Sequence, residues 1–317
     1  MNNCSILYFF KNDKDRSFIL EKLLLNCSLC PRNCRVNRQN GEVGFCGAGK
    51  NPKVARSALH FWEEPCISGK NGSGTVFFSN CTLQCVFCQN RLISADGVGE
   101  DIDTNRLASL FLDLQSQGAL NINLVTPTHY IVPIIKALDT AKSRGLVIPV
   151  VYNTSGYEKA DIIKLLKGYV DIFLPDFKYY NDKFSIKYSN APDYFLYASS
   201  AVEEMVNQTG SAKFDDNGNI VSGTIVRHLM LPGLLFDSKK VLDYLYNTYG
   251  NDIYISIMNQ YTPVGKISEH PELNRKISWD YYNTLIDYAL KIGIENAYIQ
   301  DKDTASESFI PEFYNKL

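Results

Sequence analysis

Three cysteines, Cys81, Cys85 and Cys88, fall within one short loop of the chain. They follow directly on the apolar run Gly74-Thr75-Val76-Phe77-Phe78, which reads as a buried strand, so the spacing brings three thiolates together at the C-terminal end of that strand. Three thiolates can hold three irons of a cubane and leave the fourth iron open to a ligand. An electron-transfer cluster usually has a cysteine at every iron, so a triplet with no adjacent fourth cysteine points to a cluster that does chemistry. The competing readings are a zinc site or unrelated buried thiols. Zinc sites favour paired CxxC knuckles with a distant second pair, which this loop lacks.

A second set, Cys27, Cys30, Cys34 and Cys46, has the spacing Cx2Cx3Cx11C in a polar segment with no strong hydrophobic periodicity. Such a segment does not fold around a core of its own, so a metal is the natural staple. Four thiolates suit tetrahedral zinc and equally a fully ligated iron-sulfur cluster. Pro31, Arg32 and Gly47 suggest tight turns around a compact knuckle, which favours the zinc or structural role; a cluster here could instead relay electrons. Cys4 and Cys66 have no partner by spacing and read as free thiols, Cys66 following Glu63-Glu64-Pro65. The nine cysteines are an odd number and no signal peptide is evident, which argues against a disulfide framework.

The elements that must position these residues are those of an ordinary globular chain. Of 317 residues, 45% are hydrophobic and 21% charged, and the net charge of −2 with no long basic run gives no sign of a nucleic-acid groove. The apolar stretch Ile6 to Phe10 is far too short to span a bilayer. A cytoplasmic, reducing location is expected.

From about Thr75 onward, short β-rich runs alternate with amphipathic segments of helical length. Strands are expected at Thr75 to Ser79, Ile122 to Val125, Pro149 to Asn153, Ile172 to Pro175, Thr224 to Leu231, Tyr254 to Asn259 and Ala297 to Gln300. Helices are expected at Asn105 to Gln117, Val132 to Ser143, Lys159 to Leu166, Lys239 to Tyr249 and Trp279 to Ile292. This order predicts an α/β fold, a full or partial TIM-like barrel, with chemistry at the C-terminal ends of its strands. Residues 1–70 form an N-terminal Cys-rich metal-binding extension and 71–317 the barrel domain. The segment Phe214 to Gly223 reads as a surface hairpin, a lid or a decoration.

The Cx3Cx2C spacing, with Phe87 just before the last cysteine, resembles the radical S-adenosylmethionine (SAM) enzymes. Within them the chain is similar to the pyruvate formate-lyase activating enzymes, and most to the PflX-type group. The likeness is carried by Cys27-Ser28-Leu29-Cys30-Pro31-Arg32-Asn33-Cys34, His60-Phe61-Trp62-Glu63-Glu64-Pro65, the triplet with Gln89-Asn90, Asn123 to His129, Leu174 to Lys178, Val226 to Leu229 and Asn259-Gln260-Tyr261. The resemblance implies a [4Fe-4S] cluster on Cys81, Cys85 and Cys88, with SAM chelating the open iron. One electron passes into the sulfonium, and the bond that breaks yields methionine and a 5′-deoxyadenosyl radical. The cofactor carries the hard chemistry and the protein orients it.

The resemblance also assigns contacts. Thr126 and Thr128 match the motif at the SAM amino group, although they depart from its common Gly-Gly-Glu form. Asn153, Thr154 and Ser155 match an Asp-Thr-Asn segment that, with Asp176 and Lys178, supports SAM and a monovalent cation. Asn153 replaces the Asp and removes one negative charge. Lys178 is the expected partner of the SAM carboxylate, Phe87 of the adenine, and His129 and His228 are candidates for SAM or substrate. For the two histidines a purely structural hydrogen bond is the competing role, and for Asp176 and Lys178 a rim ion pair. The implied activity is activation of a glycyl radical enzyme, with flavodoxin or ferredoxin as electron donor. The alternatives are a radical SAM enzyme acting on a small molecule or peptide, and a non-catalytic iron-sulfur protein for electron transfer or redox sensing.

Overall fold

The computed structural model describes residues 13–264, 267–301 and 313; Cys4 and the Ile6 to Phe10 stretch lie outside them. Ten strands run in the order β1 (Lys53–His60), β2 (Ser73–Phe78), β3 (Glu100–Asp101), β4 (Ile122–Val125), β5 (Val150–Thr154), β6 (Ile172–Pro175), β7 (Lys213–Phe214), β8 (Ile220–Leu229), β9 (Tyr254–Met258) and β10 (Ala297–Ile299). Their order across the sheet is β10-β9-β8-β6-β5-β4-β2-β1-β3, with β7 paired to β8. From β2 to β10 every neighbouring pair is parallel, and β1 and β3 close one edge in antiparallel pairing. The architecture is α/β, an open, partial TIM-like barrel.

Each expected strand is present, shifted by a few residues at its ends. The parallel strands are short apolar runs because both faces are covered: every residue of β2, β5 and β6 is buried. Gly74 in β2 is demanded by packing, since a Cβ there would lie 2.8 Å from the Ala119 Cβ and 2.8 Å from the Asn121 carbonyl oxygen. The crossover helices include Thr104–Ser116, capped by the Asp103 carboxylate accepting from the Arg106 N–H at 2.7 Å, and Trp279–Ile292, capped by Ser278 and closed by a left-handed Gly293.

Elements that escape the alternation pattern include the helix Asp13–Leu25, β1, β3 and the helices Asp182–Ser189 and Tyr194–Thr209. The last covers β6 and β8 and buries Tyr194, Ala198, Ala201, Val202 and Met205. The hairpin of β7 and β8 is formed as expected, its turn held by Asp215, which accepts from the Asn217 and Asn219 N–H groups at 2.9 Å each. It sits at the N-terminal end of β8, away from the strands' C-terminal rim, so the expectation of a lid is corrected: a lid must reach the rim.

The N-terminal cysteine-rich segment shares its apolar core with the barrel. Leu20, Leu23, Leu24, Cys27 and Leu29 pack in one cluster with Phe111, Ile131 and Tyr152. A second large cluster lies under β8 and β9 and includes Leu83 and Phe87 of the cysteine loop, so that loop is anchored on the opposite half of the barrel from the quartet.

Candidate active site

At the strands' C-terminal ends lies a cavity of about 500 Å3 whose walls include Cys81, Cys85, Cys88, Phe87, Thr126, Asn153, Thr154, Ser155, Asp176 and Lys178. This volume is in the range that encloses a cofactor-sized ligand. Ten of the thirteen residues named for the cluster and its cofactor from sequence therefore meet around one space.

The cysteine loop is fastened at its base. Asn80, in the left-handed region at φ 72°, turns the chain out of β2 and donates its side-chain amide to the Tyr130 hydroxyl at 3.1 Å. Within the loop, the Leu83 N–H faces the Cys81 sulfur at 3.4 Å, the Ser189 hydroxyl donates to the Cys85 sulfur at 3.0 Å, and Ser94 Oγ lies 3.2 Å from the Cys88 sulfur. Burial pushes the Cys85 thiol up to about 11, against the pull of the Lys178 cation, and raises Cys81 further, with the Cys85 and Cys88 sulfurs adding to the effect. Without metal Cys81 and Cys85 are neutral thiols. Their mutual repulsion as thiolates, their burial and the donors aimed at sulfur are what a cationic iron-sulfur core would satisfy, so the donor set fits such a cluster.

The opposite wall is a charged network. Asp176 accepts from Lys178 Nζ at 2.6 Å and from Arg227 Nε at 3.2 Å; Arg227 also donates to Glu63 at 3.1 Å and to the Asn153 side-chain oxygen. Burial opposes ionisation of Asp176, but the Lys178 and Arg227 cations outweigh it and hold its pKa below the usual carboxylate value. Lys178 is likewise held protonated by Asp176 in spite of burial. Tyr194 ties the backbone together here: its hydroxyl lies 2.8 Å from the Ser155 carbonyl and 3.0 Å from that of Asp176, and accepts from the Lys178 N–H at 3.0 Å. Gly156 allows this approach, since at φ 76° a Cβ would collide with the Asp176 carbonyl oxygen.

Thr128, His129 and His228 do not line this cavity, which corrects their placement beside the cofactor. Thr126 takes a left-handed φ of 59°, uncommon for a β-branched residue, and the chain then turns into the short helix Thr128–Tyr130 behind the wall. Thr128 and Thr154 both donate to Glu158, a fully buried carboxyl whose pKa burial pushes up to about 7, the three hydroxyls of Thr128, Thr154 and Tyr152 opposing. His129 Nε2 bonds the Ser79 carbonyl at 2.8 Å and His228 Nδ1 that of Phe177 at 2.7 Å. Burial lowers them to about 3 and about 4, so both imidazoles are neutral braces. Phe87 lines the cavity and meets Tyr261 edge-on at 6.0 Å.

The second cysteine set is also brought together. Cys46 is raised by burial and feels Cys27 and Cys34, and Cys30 is pushed up to about 12 by burial, with smaller contributions from Cys46 and Cys27. The Cys27 N–H bonds the Val36 carbonyl at 3.0 Å, the Phe45 N–H reaches the Cys34 sulfur at 3.3 Å, and Asn33 and Arg35 take left-handed backbone angles. Among the described residues, no three Cys, His, Asp or Glu side chains form the shell of a single metal ion. Arg32 and Arg38 lock the segment to the barrel: Arg32 Nε donates to the Thr82 carbonyl inside the catalytic loop at 2.9 Å, and the buried Arg38 to that of His129 at 2.6 Å.

Glu63, Glu64, Gln89 and Arg227 also line the cavity, though only their motifs, and not their roles, stand out in the sequence. Among the described residues no helix is long and apolar enough to cross a membrane.

Against known proteins, the chain is 28% identical over 289 residues to the uncharacterized protein MJ0674 of Methanocaldococcus jannaschii, covering 88% of this chain and 79% of that one. Two solved structures are among those it matches. SuiB of Streptococcus suis, bound to its precursor peptide SuiA, has 12% identity and a TM-score of 0.48 over 71% of this chain and 47% of its own, so this chain spans about half its length. The FeFe-hydrogenase maturase HydG of Carboxydothermus hydrogenoformans has 15% identity and a TM-score of 0.43, covering 75% and 60%. Residues 75–245, more than half of the chain, match the Radical SAM superfamily, and the chain belongs to that superfamily, whose members use a 4Fe-4S cluster and SAM.

Proposed function

We propose that this radical SAM enzyme activates a glycyl radical enzyme. The single observation that carries its chemistry is the convergence of three partly buried cysteines with the Asp176, Lys178 and Arg227 network on one cavity. In this reading Cys81, Cys85 and Cys88 hold the cluster. When bound, the cluster supplies the electron that cleaves SAM to methionine and a 5′-deoxyadenosyl radical. Lys178, kept charged by Asp176, receives the SAM carboxylate; Asn153, Thr154 and Ser155 shape its seat, Thr126 faces the amino group, and Phe87 the adenine.

The half-exposed Phe61 and the exposed Trp62 line the cavity where it reaches the N-terminal ends of the parallel strands, because β1 runs antiparallel to β2 with His60 opposite Ser73. In this reading Cys27, Cys30, Cys34 and Cys46 hold zinc or a second cluster, which would staple the segment before β1 to the barrel, β1 itself belonging to the barrel's sheet. A reducing cytoplasm and a flavodoxin- or ferredoxin-type donor complete the reading.

The test is to mix reconstituted protein, SAM and dithionite with a pyruvate formate-lyase-type glycyl radical enzyme. A glycine-centred EPR signal on the partner is expected. Steady 5′-deoxyadenosine formation with no partner radical would contradict activation and favour the peptide or small-molecule reading.

A further inference from the structure

The resemblance implies a monovalent cation supported by the Asn153-Thr154-Ser155 segment together with Asp176. The side chains present do not fit one. The Asn153 side-chain oxygen and Asp176 Oδ1 are both taken by the Arg227 guanidinium, whose third edge bonds Glu63 Oε2 at 3.1 Å. The other oxygens are also engaged: Lys178 Nζ donates to Asp176 Oδ2 at 2.6 Å, and the Asn123 side-chain amide to Glu63 Oε1 at 3.1 Å. An inorganic ion could enter only by expelling the guanidinium.

Charge gives the same answer. The ion pairs of this wall join two carboxylates, Glu63 and Asp176, to two cations, Arg227 and Lys178, and so balance without any metal; the third carboxyl near Arg227, the buried Glu64, has its pKa raised by burial against the pull of that cation. An Asp at 153 would have left one unbalanced negative charge, which an ion would have to meet. The neutral amide of Asn153 accepts the same guanidinium bond and adds no charge.

We infer that the Arg227 guanidinium is a built-in replacement for an inorganic monovalent cation, making the cavity independent of sodium and potassium. Arg227 sits on β8, opposite Asp176 at the end of β6 in a single parallel bridge beyond the main ladder, and reaches Asn153 on β5 and Glu63 after β1. It is a positioning residue, joining four segments at the seat of the ligand carboxylate. A planar fork suits carboxylate and amide oxygens in fixed directions, and a tethered cation pays no translational entropy on arrival.

The inference uses the SAM reading only in one arm of its test, so the two can fail separately. The melting temperature of the chain is first measured in tetramethylammonium chloride, replaced stepwise by potassium or sodium chloride at constant ionic strength. Wild type is expected to be indifferent. Arg227→Ala is expected to melt lower and to recover partly as potassium is added, because an ion bound only by the folded state stabilises it. Stabilisation of wild type by potassium, or a folded Arg227→Ala that ignores it, would overturn the inference. Should Arg227→Ala not fold, Arg227→Gln takes its place under the same two outcomes.

In the second arm, SAM affinity of the reconstituted wild type is measured by equilibrium dialysis in the same salts. It should agree within about twofold, and a gain of about tenfold in potassium would overturn the inference. Absence of SAM binding in every salt would count against the SAM reading alone, and the melting arm would still decide on Arg227.

Discussion

The two cysteine sets are built from the same residue and face different surroundings. The triplet opens on a cavity of about 500 Å3 with a charged wall across from it. The quartet lies in turns held by backbone bonds, packed on the opposite core, with none of its sulfurs on the cavity. Structural metal sites are closed and catalytic ones keep a position open. The contrast teaches that access, more than cysteine count, distinguishes the set that faces a ligand-sized space from the set packed into the fold. The two are still in mechanical contact, since Arg32 of the quartet segment carries the Thr82 carbonyl of the triplet loop.

The comparison breaks most sharply at the triplet. Cys81→Ala, Cys85→Ala and Cys88→Ala should each reduce SAM cleavage to background while leaving the melting temperature near that of the wild-type apoprotein, as read by nucleoside assay and calorimetry. The reverse pattern belongs to the quartet. Cys27→Ser with Cys30→Ser should remove a large part of the stability of a fold that has only about 5–15 kcal/mol to lose, seen first as a lower melting temperature and poor solubility, before iron at the triplet declines.

A finer probe lies between the two regions, at Glu158, which is bonded by Thr154 of the cavity wall and lies close enough to Cys30 to raise that thiol. Its pKa in the fold, about 7, is above the ordinary carboxyl value. The stability it contributes is therefore complete below that ordinary value and is lost as the pH rises through about 7. Glu158→Gln should remove this loss, so the variant gains on wild type by an amount on the order of a few kcal/mol across that window, measured as melting temperature against pH. The smallest effect is expected at Ser189. Ser189→Ala deletes the hydroxyl that donates to the Cys85 sulfur at 3.0 Å. Hydrogen bonds to sulfur favour the reduced cluster, so its potential should fall slightly in an EPR-monitored titration, with SAM cleavage retained.

Much of this was legible in the sequence because it is local. The triplet, the strand before it and the six other parallel strands are contiguous runs whose period and length declare them. What was not legible depends on distance. Arg227 meets Asp176 across 51 positions and Glu63 across 164, and no short window contains such a pair. A signal did exist: Asn153 removes a charge where the resemblance expects one, and Arg227 is a permanent cation in an otherwise apolar strand. Glu158 reads as an ordinary acid near a helix start, and only the packing of helix Ile131–Ser143 and the N-terminal segment around it makes it a buried hub that draws Thr128 from the cavity. The strand β1 escaped because its mixed sequence, Lys-Val-Ala-Arg-Ser-Ala-Leu-His, is that of a sheet margin with one side less covered.

The central claim is that the triplet binds a cluster that cleaves SAM. It is tested most directly by anaerobic reconstitution with iron and sulfide, reduction with dithionite in the presence of SAM, and assay of 5′-deoxyadenosine alongside a count of iron and zinc, on wild type and Cys85→Ala. The account predicts nucleoside from wild type and none from a folded Cys85→Ala, with any zinc counted in wild type unchanged in the variant. Nucleoside formation undiminished in that variant would contradict it.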